Sequence, residues 1–231
     1  MKTHPPIANR LLAALKHAEY LRLQDHLESV SLDFGEVLYE TNDPIRYVYF
    51  PNDSLISLLT LVDAHHALEV GMVGPEGILG TALSLGVAVS PVRAMVQGAG
   101  TAMRIKAAPF LKAYHLGQSL QKQVQLYTHA LMTQIAQTAA CNRFHPIEAR
   151  LARWLLMTRD RVGADHFHLT QEFLGDMLGV RRVGVTTAAN TLKKLQLIDY
   201  SRGNIEIING RGLQALACSC YQMVNGRHGK S

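Results

Sequence analysis

The sequence predicts an α+β protein in three parts: an N-terminal β-roll of jelly-roll type, a long helix, and a C-terminal winged helix-turn-helix. Three observations carry this prediction. Between residues 30 and 106, short apolar runs are punctuated by Gly, Pro, Asn and Asp, the pattern of many short strands joined by turns. After Pro109 an apolar period of three to four residues returns and persists, which is helical. From Leu169 to Ile208, two short amphipathic segments meet at Gly179 and are followed by two alternating strands, the order of helix, turn, helix and wing. The parts divide as residues 1–115, 116–144 and 145–231.

The first element is a helix over residues 7–29, where Leu11, Leu12, Leu15, Ala18 and Leu21 recur at helical spacing. Val30, Leu32 and Phe34 then alternate with Ser31 and Asp33, the signature of a half-buried strand. Tyr47–Phe50, Leu55–Val62 and Ala67–Val73 read as further strands, separated by Pro51-Asn52-Asp53 and closed by Gly74-Pro75-Glu76-Gly77. The last two strands flank Gly98-Ala99-Gly100, with Met103 and Ile105 facing inward.

The long helix carries Leu116, Leu120, Val124, Tyr127, Leu131 and Ile135 on one narrow stripe among glutamines and threonines. Such a stripe serves either a two-stranded coiled coil or packing on the chain's own β-domain. Its narrowness and the helix length favour a homodimer seam through Leu120, Val124, Tyr127, Leu131 and Ile135. His145-Pro146 ends this helix, and Pro146 suits the first turn of the next, residues 147–162, which buries Leu151, Trp154 and Leu155. A hinge is expected near residues 141–146.

Charge separates the halves. Residues 1–142 carry ten Lys and Arg against eleven Asp and Glu, and residues 143–231 thirteen against seven. A neutral front and a basic back direct a polyanion to the C-terminal part. With 48% hydrophobic residues the chain can build a sizeable core, and no run approaches the eighteen apolar residues of a spanning helix. The N-terminal MKTHPPIANR has no apolar stretch after its lysine, so no secretory signal is expected. Cys141, Cys218 and Cys220 make no disulfide framework, consistent with a cytoplasmic protein away from the membrane.

In the C-terminal part, Thr170 caps the first helix and Gly179 supplies a left-handed turn. Gly175 leaves room for the second helix, which buries Val185, Ala188, Ala189 and Leu192. Its other face presents Arg182, Thr186, Asn190 and Lys193, with Arg181, Val183 and Thr187 near its start, and the hairpin turn carries Arg202. Arginine reads guanine edges bidentately, threonine and asparagine reach base edges or phosphates, and lysine neutralises phosphate. Thr170, Arg181, Arg182, Val183, Thr186, Thr187, Asn190, Lys193 and Arg202 are therefore the candidate contacts to double-stranded DNA.

With these residues in view, the chain resembles the Crp/Fnr superfamily of bacterial transcription regulators. The likeness is strongest over IEARLARWLLMTRDRV and LTQEFLGDMLGVRRVGVTTAANTLKKLQLIDYSRGNIEI, and extends to LEVGMVGPEGILG in the β-roll. The resemblance implies a cyclic-nucleotide-binding-like β-roll, a dimer helix, and homodimers reading inverted repeats, with RNA polymerase as a partner. In the cyclic-AMP-responsive branch the recognition helix begins Arg-Glu and carries a further Arg one turn later. This chain has Arg182-Val183 and Thr187 there, which implies a different DNA sequence.

The family's nucleotide site resembles Gly-Glu-Leu followed by Arg-Ser/Thr-Ala. Here the stretches are Gly80-Thr81-Ala82-Leu83 and Pro91-Val92-Arg93-Ala94. Thr81 stands for the glutamate, and Arg93 lies one place from the phosphate arginine, where a one-residue shift reverses the side chain. Cyclic AMP is therefore not expected, and the effector is unknown. Gly74, Gly77, Gly80, Thr81 and Arg93 are the candidate cradle for another anion, or for a retained cyclic nucleotide.

An iron–sulfur cluster is not expected, because residues 1–140 contain no cysteine. Haem is not expected either, since His65, His66 and His115 stand in no diagnostic motif. Cys218 and Cys220 read as a packing or redox-labile pair, two ligands falling short of the four of structural zinc. Redox sensing through these thiols is an alternative mode of control. A different class of reading, a cupin-like metalloenzyme with His65, His66 and Glu69 as ligands, leaves the winged helix unexplained, so no enzymatic activity is expected. A nucleotide-sensing adaptor that binds protein partners is a third reading.

Overall fold

The computed structural model describes residues 7–61 and 67–225, so His65 and His66 lie outside the described residues. The chain divides into two compact units, Met1–Leu58 with Met72–Leu131, and Leu59–Gly71 with Met132–Ser231.

In the first unit, the helix expected over residues 7–29 is two short ones, α1 (Arg10–Ala13) and α2 (His17–Gln24), and the first strand already begins at Glu28. Asn9 explains the start of α1. Its buried side chain accepts from the Leu12 amide at 3.0 Å and donates to the Pro51 and Gly77 carbonyls at 2.8 and 2.9 Å. A buried amide with all these bonds made ties the helix to two loops at little desolvation cost.

Strands β1 (Glu28–Leu32), β2 (Val37–Tyr39), β3 (Tyr47–Pro51), β4 (Leu55–Leu61), β5 (Ala67–Val73), β6 (Arg93–Gly98) and β7 (Gly100–Lys106) form two sheets. One has the order β1-β7-β3 and the other β2-β6-β4-β5. Strand β7 is central in the first, pairing antiparallel with β1 through Glu28↔Arg104 and with β3 through Tyr47↔Lys106. Leu32, Val48, Phe50, Leu55, Ile56, Met72, Ile78, Val96 and Ile105 fill the core. Phe34, expected in the inward row, lies past the end of β1 and is 51% exposed. Gly35 at φ +83° turns the chain away directly after it.

Helix α3 (Ala107–Leu116) is separated from α4 (Gln118–Phe144) at Gly117. The Glu19 carboxylate accepts from the Ser119 and Leu120 amides at 3.1 and 3.0 Å, satisfying N–H groups that open α4. A Cβ at Gly117 would come within 2.6 Å of Glu19 Oε2, so a side chain there would push that carboxylate from its place.

The dimer seam predicted from the stripe is corrected by burial. Leu120, Val124, Tyr127 and Leu131 are buried inside the chain itself, and Ile135 is half-buried. The Tyr127 ring occupies the place a side chain at Gly77 would take. Periodicity reveals that a face is buried and is silent on what buries it. The face of α4 that points outward runs through Lys122, Leu126, His129, Met132, Ala136 and Ala139, with Leu126 and Met132 being 47% and 64% exposed.

The second unit contains α5 (Ile147–Val162), β8 (His166–His168), α6 (Gln171–Leu178), α7 (Arg182–Lys194), β9 (Ile198–Ser201), β10 (Asn204–Ile207), α8 (Gly210–Leu216) and α9 (Cys220–Asn225). Strand β8, not anticipated from the sequence, makes the wing a three-stranded antiparallel sheet of order β8-β10-β9. Trp154, Leu151 and Leu155 are buried as expected. The Trp154 indole donates to Glu69 Oε1 at 2.9 Å. Glu69 is thereby the partner of an indole N–H, while the other two residues of the cupin-like reading, His65 and His66, lie outside the described residues.

The unit boundary falls inside α4, between Leu131 and Met132, rather than at residues 115 and 145. The chain groups by packing partner, and one helix serves both groups.

Candidate nucleic-acid interface

The helix-turn-helix follows from local chemistry. Thr170 Oγ1 accepts from the Phe173 amide at 3.1 Å, the N-cap bond that starts α6. Gly179 closes α6 at φ +60°, and its amide bonds the Asp176 carbonyl. A Cβ on Gly175 would meet the Val180 carbonyl oxygen at 3.0 Å, so glycine permits the tight turn into α7. Val185, Ala188, Ala189 and Leu192 form the buried face of α7, as the spacing predicts.

The opposite face is open. Arg181, Arg182, Val183, Thr187, Asn190 and Lys193 are exposed, and Val183 is 74% accessible. Arg181 holds the N-cap position without a side-chain cap bond. Among the described residues, Arg181, Arg182 and Arg202 are held in no ion pair. Three unneutralised guanidinium groups at a helix start and a loop tip are suited to phosphate and base edges.

Two predicted contacts are engaged elsewhere. Thr186 is half-buried, and its hydroxyl lies 2.7 Å from Gln171 Oε1 and 3.0 Å from the Arg182 carbonyl, joining α7 to α6. Lys193 Nζ sits 2.6 Å from Asp199 Oδ1 and 3.4 Å from the Tyr200 carbonyl, anchoring the wing. The Lys193 bond, with the Tyr200 amide, holds the Asp199 carboxyl below its usual range. Both residues thus tie α7 to α6 and to the wing. The Thr187 hydroxyl bonds the Val183 carbonyl at 3.0 Å, leaving its methyl and lone pairs outward.

The wing turn places Arg202 at φ +51° and Gly203 at φ +83°. Two successive left-handed residues make the tight hairpin of the primed class. A cleft of about 420 Å³ gathers Thr170, Gln171, Glu172, Arg182, Asn190, Tyr200, Arg202 and Gly203. Four predicted contacts, Thr170, Arg182, Asn190 and Arg202, therefore converge on one concavity between the two helices and the wing. Gln171 and Tyr200, which no sequence pattern singles out, line the same cleft. The Tyr200 hydroxyl donates to the Leu169 carbonyl at 3.3 Å, a nonlocal bond that no spacing rule announces.

The predicted anion cradle does not assemble. Arg93 Nε bonds Glu40 Oε2 at 2.8 Å, so its charge is already countered. Gly77 accommodates Tyr127, and Gly80, at φ +109°, lies against Tyr39 and Val48. Thr81 opens a five-residue 3-10 turn ending at Leu85, and its carbonyl accepts the Ser84 hydroxyl. A separate cleft of about 290 Å³ is lined by Leu38, Tyr39, Asp43, Pro44, Arg46, Tyr47 and Tyr49 and includes none of the five.

The thiols differ from expectation as well. Cys218 and Cys220 are joined by Cys141 and His145, the four ligand atoms lying within 4.8 Å of one another. The count of two is corrected to four, because the fold returns the segment after α8 to the last turn of α4. Cys141 Sγ lies 3.4 Å from Cys218 Sγ. Donation from Cys141 is the largest effect on Cys218, and with Cys220 and Arg153 it outweighs burial and lowers the Cys218 thiol to about 5. Cys141 is pushed well up by that same bond and by burial, although Arg153 opposes both.

The two-helix arrangement with its wing defines a DNA-binding helix-turn-helix module, and comparison places it more closely. Residues 149–216 match the Crp-like helix-turn-helix domain. FixK2 from Bradyrhizobium japonicum superimposes with a TM-score of 0.71 at 17% identity, covering 83% of this chain and 98% of that one. A CRP-family transcriptional regulator from Thermus thermophilus gives 0.68 at 16% identity, covering 81% and 96%. CLP, the c-di-GMP-responsive global regulator of Xanthomonas campestris, gives 0.66 at 13%, covering 83% and 99%. Functionally characterised proteins yielded no sequence match. Residues 149–216 are a Crp-like helix-turn-helix domain, and the chain has the β-roll and helix-turn-helix fold of Crp/Fnr regulators. Among the described residues no helix is long and apolar enough to cross a membrane.

Proposed function

We propose that this protein is a sequence-specific, homodimeric transcription regulator that binds inverted-repeat DNA and has no enzymatic activity. The observation that carries the proposal is the unpaired set Arg181, Arg182 and Arg202, placed at the start of α7 and the wing tip beside the cleft holding Thr170 and Asn190. In this reading α7 enters the major groove, Arg182, Val183, Thr187 and Asn190 meet base edges, and Arg202 meets the backbone. Arg181 and the Thr170 end of α6 add phosphate contacts.

The dimer forms through the outward face of α4, with Leu126, Met132, Ala136 and Ala139 as its apolar line. Small residues in that line let two helices approach closely. Control by an effector, and contact with RNA polymerase on the DNA, belong to the same proposal. The Arg93–Glu40 pair and the packing at Gly77 favour an effector other than cyclic AMP. The protein acts in the cytoplasm, where its DNA is.

The test is selection of bound fragments from a random duplex pool, followed by sedimentation of the complex. An enriched inverted repeat bound by two chains is expected, and Met132→Glu should leave a monomer that loses the repeat. A pool that shows no enrichment overturns the proposal.

A further inference from the structure

We propose that Cys141, His145, Cys218 and Cys220 form a mononuclear metal centre for a thiophilic divalent cation of the zinc class. The proposal stands independently of the DNA-binding reading.

The geometry is that of a closed four-ligand site. Cys141 and His145 are one helical turn apart, and the His145 amide still bonds the Cys141 carbonyl at 3.1 Å, so both side chains leave one face. Cys218 and Cys220 bracket the entry into α9 and approach from the other side. Cys141 Sγ to Cys218 Sγ and Cys220 Sγ to His145 Nδ1 are each 3.4 Å, and every ligand atom lies within 4.8 Å of the others. Zinc–sulfur bonds of ~2.3 Å in a tetrahedron set sulfur–sulfur edges of ~3.8 Å. The four atoms need move only by tenths of an ångström to about one ångström to meet that figure. A cluster of several irons requires its ligands to spread around a larger body, which this tight group does not do.

The surroundings suit a charged centre better than a packing pair. All three cysteines are buried, His145 is half-buried, and Gln137 Nε2 donates to Cys220 Sγ at 3.0 Å, the outer hydrogen bond a ligating thiolate favours. Arg150 and Arg153 are buried beside the group, and the Nε of each has no hydrogen-bond partner. Their hydrogen bonds go to neutral acceptors, Arg150 to the Leu178 carbonyl and Arg153 to the Thr138 hydroxyl at 3.3 Å. Burying two cations side by side is costly. Three thiolates around a divalent ion carry one net negative charge and give both guanidinium groups a counter-charge. On loading, the thiols bound as thiolates release their protons to solvent and no electron moves.

The expected consequence is a metal clip between the end of α4 and the segment following α8. Cobalt(II) is the probe. The full chain, purified under reductant and stripped with a chelator, should bind one equivalent, develop thiolate-to-cobalt charge-transfer and tetrahedral bands, and lose both to zinc(II). Cys141→Ser, Cys220→Ser and His145→Ala should each lose the bands or weaken binding by at least ~10-fold, while Ser219→Ala keeps them. Absence of the charge-transfer band in the wild-type chain overturns the proposal without any variant having to fold. Unchanged bands in Cys141→Ser, or a Cys141–Cys218 disulfide as the form isolated without metal, overturn it equally. The readout contains no DNA, so a failure here leaves the regulatory reading standing, and the converse also holds.

Discussion

Trp154 donates its indole N–H to the buried carboxylate of Glu69 at 2.9 Å, linking the largest side chain of α5 to strand β5. Removal of a donor from a buried acceptor costs about 1–3 kcal/mol. Trp154→Phe should therefore destabilise the protein by at least that amount, with added loss from the vacated volume. Glu69→Gln keeps an acceptor oxygen and should cost less. Urea unfolding of both variants checks the order.

Gly77 and Tyr127 form a second dependent pair, since the ring fills the place of any side chain at Gly77. Gly77→Ala should destabilise by about 1–3 kcal/mol through overpacking. Combined with Tyr127→Ala, the alanine at 77 should cost clearly less than it does alone. Additive costs in the double-mutant cycle would show that the two do not touch.

Glu19 gives the protein an acid-sensitive joint. Burial works against its charge, but the Leu120 and Ser119 amides, the Ser119 hydroxyl and Lys16 outweigh it, holding the carboxyl below its usual range. A group depressed in the folded state contributes stability above its unfolded pKa and loses it as pH falls through the folded value. The wild-type chain should thus lose stability on acidification from the ordinary glutamate range downward. Glu19→Gln should be less stable at neutral pH and show a flatter profile there. Thermal melts across that range decide it.

Arg202 sits at φ +51°, a conformation costing a non-glycine residue about 1 kcal/mol. Asparagine adopts it more readily. Arg202→Asn should leave the wing as stable or slightly more stable while weakening DNA binding. With one fewer phosphate neutralised per chain, the salt slope of a dimer should fall by about two. Loss of stability with unchanged affinity would assign Arg202 to the turn alone.

How much of this could be read in the sequence depended on whether the interaction was local. Thr170, Gly175, Gly179 and the Val185–Leu192 face act within a few residues, and each was found where its spacing placed it. Wing strand β8 leaves no sequence signal, because its pairing with β10 joins residues 36 to 40 apart and HFH is too short for alternation to register. The stripe on α4 was read as a seam because Leu120 and Tyr127 announce burial without naming a partner. Cys141 and His145 lay in a helix end, and Cys218 and Cys220 near the terminus, so only tertiary structure could count four ligands. The burial of Arg150 and Arg153 has no sequence signal either, because arginine on an amphipathic helix ordinarily faces solvent.

In the function proposed above, the exposed arginines at the start of α7 make this fold a DNA-binding regulator. The most direct measurement is the salt dependence of affinity for the selected repeat, comparing wild type with Arg181→Ala/Arg182→Ala. Both side chains are exposed and neither caps the helix, so the unfolding curve should not change. A steep linear fall of log affinity with log salt is predicted for the wild type. The variant should bind at least ~100-fold more weakly, with a slope shallower by about two to four. A variant that binds the same repeat with unaltered affinity and slope would contradict the claim.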